Sequence, residues 1–212
     1  MVENHYIYYS TVYIFSMHKE FNPQDHYFHK AKQDGYLARS AYKLEEIDKK
    51  FGIFWPKKKS VLDIGCAPGS RVQYIRRNTT ASIIWFDLKT IDLILPDTYL
   101  YTQDITDTKG VQEHLDRHRI SSFDVILSDM APDTVGDSAT DALRSTMLIR
   151  DTMWLYDRYL SPRWTFVIKI FMGPWFEELL TELRSRYGIK SIKTYKPKAC
   201  RDSSKETYII KV

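Results

Sequence analysis

Apolar and polar positions alternate along the chain in a way that marks out short strands separated by helices. Between Ser40 and Phe51, Ala41, Leu44, Ile47 and Phe51 recur at helical spacing, and Gly52 and Pro56 close the run. Ser60–Arg71, SVLDIGCAPGSR, has a different pattern. The apolar strand Val61, Leu62, Ile64 carries Asp63 and runs into a turn of Gly65, Ala67, Pro68 and Gly69, with a helix expected over Val72–Asn78. Further strands are expected at Ser82–Phe86 (ending at Asp87), Tyr99–Thr102 (ending near Asp104), Phe123–Leu127 (ending at Asp129) and Trp164–Ile170. Helices are expected around Gly110–His118 and Ala139–Leu160. After Gly173-Pro174 another runs to about Tyr187. Two strands, Ile189–Tyr195 and Glu206–Val212, close the chain around the basic loop Lys196–Lys205. Residues 1–25 show no sustained period, and Asp25–Arg39 is polar and basic.

Strands alternating with helices imply an α/β fold, a mostly parallel sheet with helices on both faces. The last two strands have too few residues between them for a parallel crossover, so one of them is expected to run antiparallel. In such sheets ligands sit beyond the carboxyl ends of the strands, where Asp87, Asp104, Asp129 and Lys169 fall. A chain of 212 residues suits one domain, here 25–212, preceded by an extension over 1–24; Met17 stands as a second start. Net charge +4 allows a polyanionic partner. Two distant cysteines, Cys66 and Cys200, and the lack of an apolar run of membrane-spanning length imply a reducing, cytoplasmic setting.

A strand, a glycine turn and a helix start form a site for a nucleotide-like ligand. Asp87, about twenty residues past the turn, is placed to hold ribose hydroxyls. The pattern G-x-G-x-x-G is absent, and Pro68 removes a backbone N–H that a phosphate would use. Clustered carboxylates also repel phosphate. Together these favour S-adenosylmethionine over a dinucleotide, with Asp104 toward the adenine amino group. The candidate cofactor residues are Asp63, Gly65, Ala67, Pro68, Gly69, Ser70, Arg71, Asp87, Leu88, Asp104, Ile105 and Asp129. Cys66 reads as a small buried residue. His114 and His118 lack a third ligand and read as a surface helix face, so no metal site is expected. Lys169 is the most telling residue of the second half. A lysine in a central strand is costly unless paired or functional, and Asp129 on the neighbouring strand is its natural partner.

The motifs RSAYKLEEID, SDMAP, FVIKIF and KPKACRDSSKETYII follow one another in this order. In them the chain resembles the FtsJ/RrmJ (RlmE) family of ribosomal RNA 2′-O-ribose methyltransferases, from about Asp25 to Val212. The resemblance implies a Rossmann-like class I S-adenosylmethionine-dependent methyltransferase with a seven-stranded sheet. It also implies a Lys-Asp-Lys-Glu tetrad of Lys43, Asp129, Lys169 and Glu206. Lys169 would take the ribose proton, Lys43 would contact the target nucleotide, and a uridine of large-subunit RNA would be the acceptor. Where the family reads P-G-G-W, this chain has Pro68, Gly69, Ser70 and Arg71. Lys32, Arg39, Lys196, Lys198 and Arg201 are candidate RNA contacts, and a monomer is expected. The alternatives are a transfer-RNA or mRNA-cap methyltransferase of the same family, a non-catalytic RNA-binding assembly factor, and an NAD-dependent oxidoreductase that the turn disfavours.

Overall fold

The computed structural model describes residues 26–55, 59–201 and 203–212. The expectations for residues 1–25 and for Pro56 lie outside them. Seven strands form one sheet: β1 (Ser60–Ile64), β2 (Ser82–Asp87), β3 (Thr98–Thr102), β4 (Phe123–Ser128), β5 (Leu160–Phe171), β6 (Ile192–Tyr195) and β7 (Glu206–Lys211). Their order is β3-β2-β1-β4-β5-β7-β6. The pairs from β3 to β5 are parallel, and β7 runs antiparallel between β5 and β6. The short last connection forces that direction, as expected from its length.

Six helices are described: α1 (His26–Gln33), α2 (Ser40–Phe51), α3 (Ser70–Asn78), α4 (Thr108–Arg117), α5 (Ser138–Tyr159) and α6 (Phe176–Tyr187). Alternation along the strands divides the core in two. Leu62, Ile64, Ile84, Phe86, Ile126, Phe166, Ile168 and Ile209 pack toward α4, α5 and α6. Val61, Ile83, Trp85, Val125, Leu127, Val167, Tyr208 and Ile210 pack toward α2 and α3. The period of two decides which residues reach which layer. Asp63 follows Val61 at that period, Lys169 follows Val167, and Glu206 and Tyr208 precede Ile210. All of them therefore belong to the α2/α3 side, at one end of the sheet.

The differences from the sequence expectation have local causes. α1 was expected only as a polar stretch. Its eight residues bury just Ala31, which packs with Tyr42 and Ala199, so no apolar period advertises it. α3 starts at Ser70 because Gly69, at φ 103°, turns the chain directly into the helix. β5 begins at Leu160, straight after α5, and its register against β4 shifts between Phe123 and Val125. β6 starts at Ile192 because Gly188, at φ 97°, and the Ser191 turn occupy the residues before it.

The basic loop before β7 is fastened to α2 by one side chain. Glu46 accepts hydrogen bonds from the backbone N–H of Lys198 (2.7 Å) and Ala199 (2.8 Å), and from the Tyr27 and Tyr195 hydroxyls at 3.4 Å. Hydrogen bonds to a charged acceptor are the stronger class. Glu46→Ala is expected to lower unfolding stability by about 2 kcal/mol, read as a reduced urea midpoint at unchanged slope. An unchanged midpoint would show that the loop is held by other contacts.

Candidate active site

The carboxyl end of β1 turns at Gly65, whose φ is +67°. Its amide donates to Phe86 O at 2.9 Å, and Asp129 N donates to Ile64 O at 3.0 Å, so three strand ends are drawn together. The Asp87 carboxylate accepts from Ala67 N (2.7 Å) and Lys89 N (2.9 Å). Asp104 accepts from the Thr106 amide and hydroxyl at 2.9 and 2.8 Å. Each acid thus makes an ordinary loop bond and also faces a cavity of about 370 Å³.

Of the expected cofactor residues, Gly65, Ala67, Asp87, Leu88, Asp104, Ile105 and Asp129 line this cavity. Pro68, Gly69, Ser70, Arg71 and Asp63 are not among its lining residues. Asp63 is fully buried behind the turn, where Arg71 Nη2 meets it at 2.6 Å. Burial, with Asp87 adding to it, pushes the Asp63 carboxyl up to about 6 even against the Arg71 charge. Ser70, also buried, ties α3 to α2 through Ser40 Oγ at 2.6 Å. Sequence reasoning missed Phe86, Gln103, Met130 and Leu148, which also line the cavity. The position of Gln103 directly before Asp104 was the available signal.

Beside the cavity, Lys169 donates to the Asp129 carbonyl and stands 3.2 Å from its carboxylate Oδ1. Lys43 reaches from α2 to Glu206 Oε1 at 2.6 Å. Tyr208 pairs directly with Lys169 across β5 and β7. Its hydroxyl lies 2.8 Å from Glu206 Oε1 and 3.0 Å from Asp129 Oδ1, between the two carboxylates. Lys43, Asp129, Lys169 and Glu206 are therefore brought together, with Tyr208 as a fifth member. Its position two residues after Glu206 on one strand face was the signal for it.

The electrostatics are lopsided. Burial, reinforced by the Lys43 and Arg71 charges, lowers the Lys169 amine to about 7, against the opposing pull of Glu206. Burial alone would raise the Glu206 carboxyl. The Lys43 charge and hydrogen bond, the Tyr208 hydroxyl and the Lys169 charge outweigh it and hold the group below its usual range. Cys200, 3.5 Å from Glu206, is pushed up to about 12 by burial and that carboxylate, and Cys66 is raised further still by burial. Neither thiol is a nucleophile near neutral pH.

His114 and His118 do not form a free surface face: His114 stacks on the Tyr101 ring at 4.0 Å, and His118 Nε2 lies 2.6 Å from its hydroxyl. No group of three metal-ligating side chains occurs among the described residues. No described helix is long and apolar enough to cross a membrane.

Residues 36–212 match the family described as FtsJ-like methyltransferase. The chain belongs to that family. This FtsJ-like methyltransferase is 41% identical over 191 residues to ribosomal RNA large subunit methyltransferase E of Nitratidesulfovibrio vulgaris strain DP4, covering 88% of this chain and 91% of the relative. The protein of that name from Bdellovibrio bacteriovorus is 34% identical, over 90% of this chain and 96% of its own. A crystal structure assigned to a ribosomal RNA methyltransferase of Plasmodium falciparum superposes with a TM-score of 0.73 at 31% identity, covering 83% of this chain and 97% of that one. The fold extends to more remote proteins: the MycE methyltransferase, solved with Mg and SAH, gives a TM-score of 0.52 at 13% identity, covering 80% of this chain and 46% of that one.

The candidate RNA contacts of the FtsJ-like chain divide. Lys198 lines a groove of about 440 Å³ with Tyr27, Lys30, Tyr42, Lys49, Lys50 and Tyr195, and with the carboxylates Glu45 and Glu46. Arg39 is tied to Ala199 O and lies over the Tyr27 ring, and Lys196 is tied to Ser204 O at 2.6 Å. Lys32 is exposed over the Phe28 ring, and Arg201 is half-buried.

The tightest constraint on the cavity wall is Gly65. A Cβ there would lie 2.8 Å from Met130 N and 2.9 Å from its Cα, both backbone, at a positive φ. Gly65→Ala is expected to destabilise by about 2 kcal/mol, seen as a melting temperature lower by about 5 °C. An unchanged melting temperature would mean that the 129–131 backbone yields freely.

Proposed function

We propose that this FtsJ-like methyltransferase transfers a methyl group from S-adenosylmethionine to a ribose 2′-hydroxyl of large-subunit ribosomal RNA, acting as a monomer in the cytoplasm through residues 25–212. The observation that carries the proposal is the double duty of Asp129. It lines the cavity and also holds Lys169, so the ligand pocket and the amine share a wall.

The donor set fits the cofactor. The cavity is faced by the carboxylates of Asp87, Asp104, Asp129 and Asp133 with one lysine, Lys89, which suits a ribose and an amino group and disfavours a pyrophosphate. Asp87 would hold the ribose hydroxyls and Asp104 the adenine amino group, with Gly65, Ala67, Leu88 and Ile105 packing around them. S-adenosylmethionine supplies, when bound, a methyl group already activated on a sulfonium.

The chain's own work is then alignment and proton removal. Lys169, neutral above about pH 7, accepts the proton of the 2′-hydroxyl, and the oxygen is freed to form its bond to carbon. The resulting ammonium is met by the Asp129 carbonyl and carboxylate. Lys43, held by Glu206, is available to the target nucleotide. The groove along α2, in which three tyrosines and four lysines outnumber Glu45 and Glu46, supports an RNA partner, since ring faces stack on bases and lysines meet phosphates.

Lys169→Ala is expected to lower methyl transfer to large ribosomal subunits by at least about 100-fold, while titration of S-adenosylmethionine onto the protein is unchanged. The wild-type rate should rise with pH through about 7 as the amine loses its proton, then level off. Transfer RNA and capped RNA are the comparison substrates. Full activity in Lys169→Ala would remove the base from the reading. Faster transfer to transfer RNA would move the substrate elsewhere in the family.

A further inference from the structure

Arg71, the second residue of α3, does not line the cofactor cavity. It is 6% exposed. Leu44, Ile47, Leu127 and Val167 share a small void with it, so its surroundings are largely apolar. A guanidinium in such a place is costly unless its donors are used. Here they are. Nη2 donates to the carbonyls of Ile64 (3.1 Å) and Gly65 (2.9 Å) and stands 2.6 Å from Asp63 Oδ1, while Nη1 lies 3.4 Å from Asp129 Oδ2. One side chain on α3 thus touches the end of β1, the glycine turn and the carboxylate that holds Lys169.

We propose that Arg71 is a positioning residue for methyl transfer: its guanidinium clamps Asp129 and the Gly65 turn onto the buried Asp63, and it sets the charge around Lys169. The inference rests on the reading of Lys169 as the base.

Three cations, Lys43, Arg71 and Lys169, share this end of the sheet with three carboxylates, Asp63, Asp129 and Glu206. The groups around the Lys169 amine are Asp129 at the end of β4, Lys43 from α2, Arg71 from α3, Glu206 and Tyr208 from β7, and Cys200 from the loop before it. Arg71 is one of only two positive neighbours among them. The Arg71 charge works in the same direction as burial, toward the neutral amine. Its contact with Asp129 keeps that carboxylate oriented by two cations instead of one.

Arg71→Met alone would leave Asp63 buried without its cation, so the informative variants are the charge-balanced pair Arg71→Met with Asp63→Asn, and Arg71→Lys. Two readouts are taken on each: the pH profile of single-turnover methyl transfer to large ribosomal subunits, and the pH dependence of competitive acetylation of the Lys169 amine in the protein without RNA. In the paired variant the rising limb and the Lys169 titration are both expected to move alkaline by about one pH unit, with a plateau rate lower by about tenfold. Arg71→Lys keeps the charge but cannot span all four partners, so its limb stays in place while its plateau falls. A folded paired variant with an unmoved Lys169 titration overturns the inference, as does Arg71→Lys shifting the limb as far as the pair. If the acetylation midpoint moves but the wild type methylates no RNA, the inference about the charge stands and the functional reading falls.

Discussion

The structure depends on keeping a lysine inside a sheet. Lys169 sits on the interior strand β5, between β4 and β7, with its side chain only 10% exposed. An ionised amine there loses most of its hydration and needs compensation. Asp129 provides it twice, by carbonyl and carboxylate. The other charges at this end of the sheet are paired as well. Glu206 is balanced by Lys43, Asp63 by Arg71, and the Tyr208 hydroxyl sits between the two carboxylates nearest the amine. The cluster is close to neutral as a whole. A near-neutral amine is therefore sustainable without leaving any single charge alone.

Topology makes the cluster possible. Had β7 run parallel, its first residue would lie at the far end of the sheet from the ligand cavity. Because it runs antiparallel between β5 and β6, Glu206 pairs with Phe171 and Tyr208 with Lys169, so the start of β7 meets the end of β5. The period of two then turns Glu206 and Tyr208 toward α2, where Lys43 waits. α2 also carries Glu46, which fastens the loop leading into β7. The same helix thus anchors both the loop and the residue that pairs with Glu206.

The strand and helix succession was legible because the alternation of apolar residues is strong there; α2 falls within its expected bounds, and the acids at the ends of β2, β3 and β4 stand where a ligand cavity opens. α1 was not legible, since eight residues that bury a single alanine carry no periodic signal. The inward turn of Arg71 was not legible either. Arginine is a surface residue by default, and only the closeness of Asp63 and Asp129, far apart in sequence, shows why it faces in. Asp63 is the converse case: in the sequence it reads like Asp87 and Asp104, which line the cavity, but its strand face points it beneath the turn. For Tyr208 the signal, its place two residues after Glu206, was present but weak. A tyrosine in a β-strand is unremarkable until the register sets it opposite a lysine.

The central claim is that this end of the sheet activates a ribose hydroxyl rather than a base nitrogen or carbon. Alkaline hydrolysis of methylated RNA tests it most directly, because cleavage of each phosphodiester requires the neighbouring free 2′-hydroxyl. Large-subunit RNA labelled by the protein with a radioactive methyl group is digested to completion in alkali and the products are separated by size. The account predicts label in an alkali-resistant dinucleotide. Label recovered wholly in mononucleotides would place the methyl group on a base and contradict it.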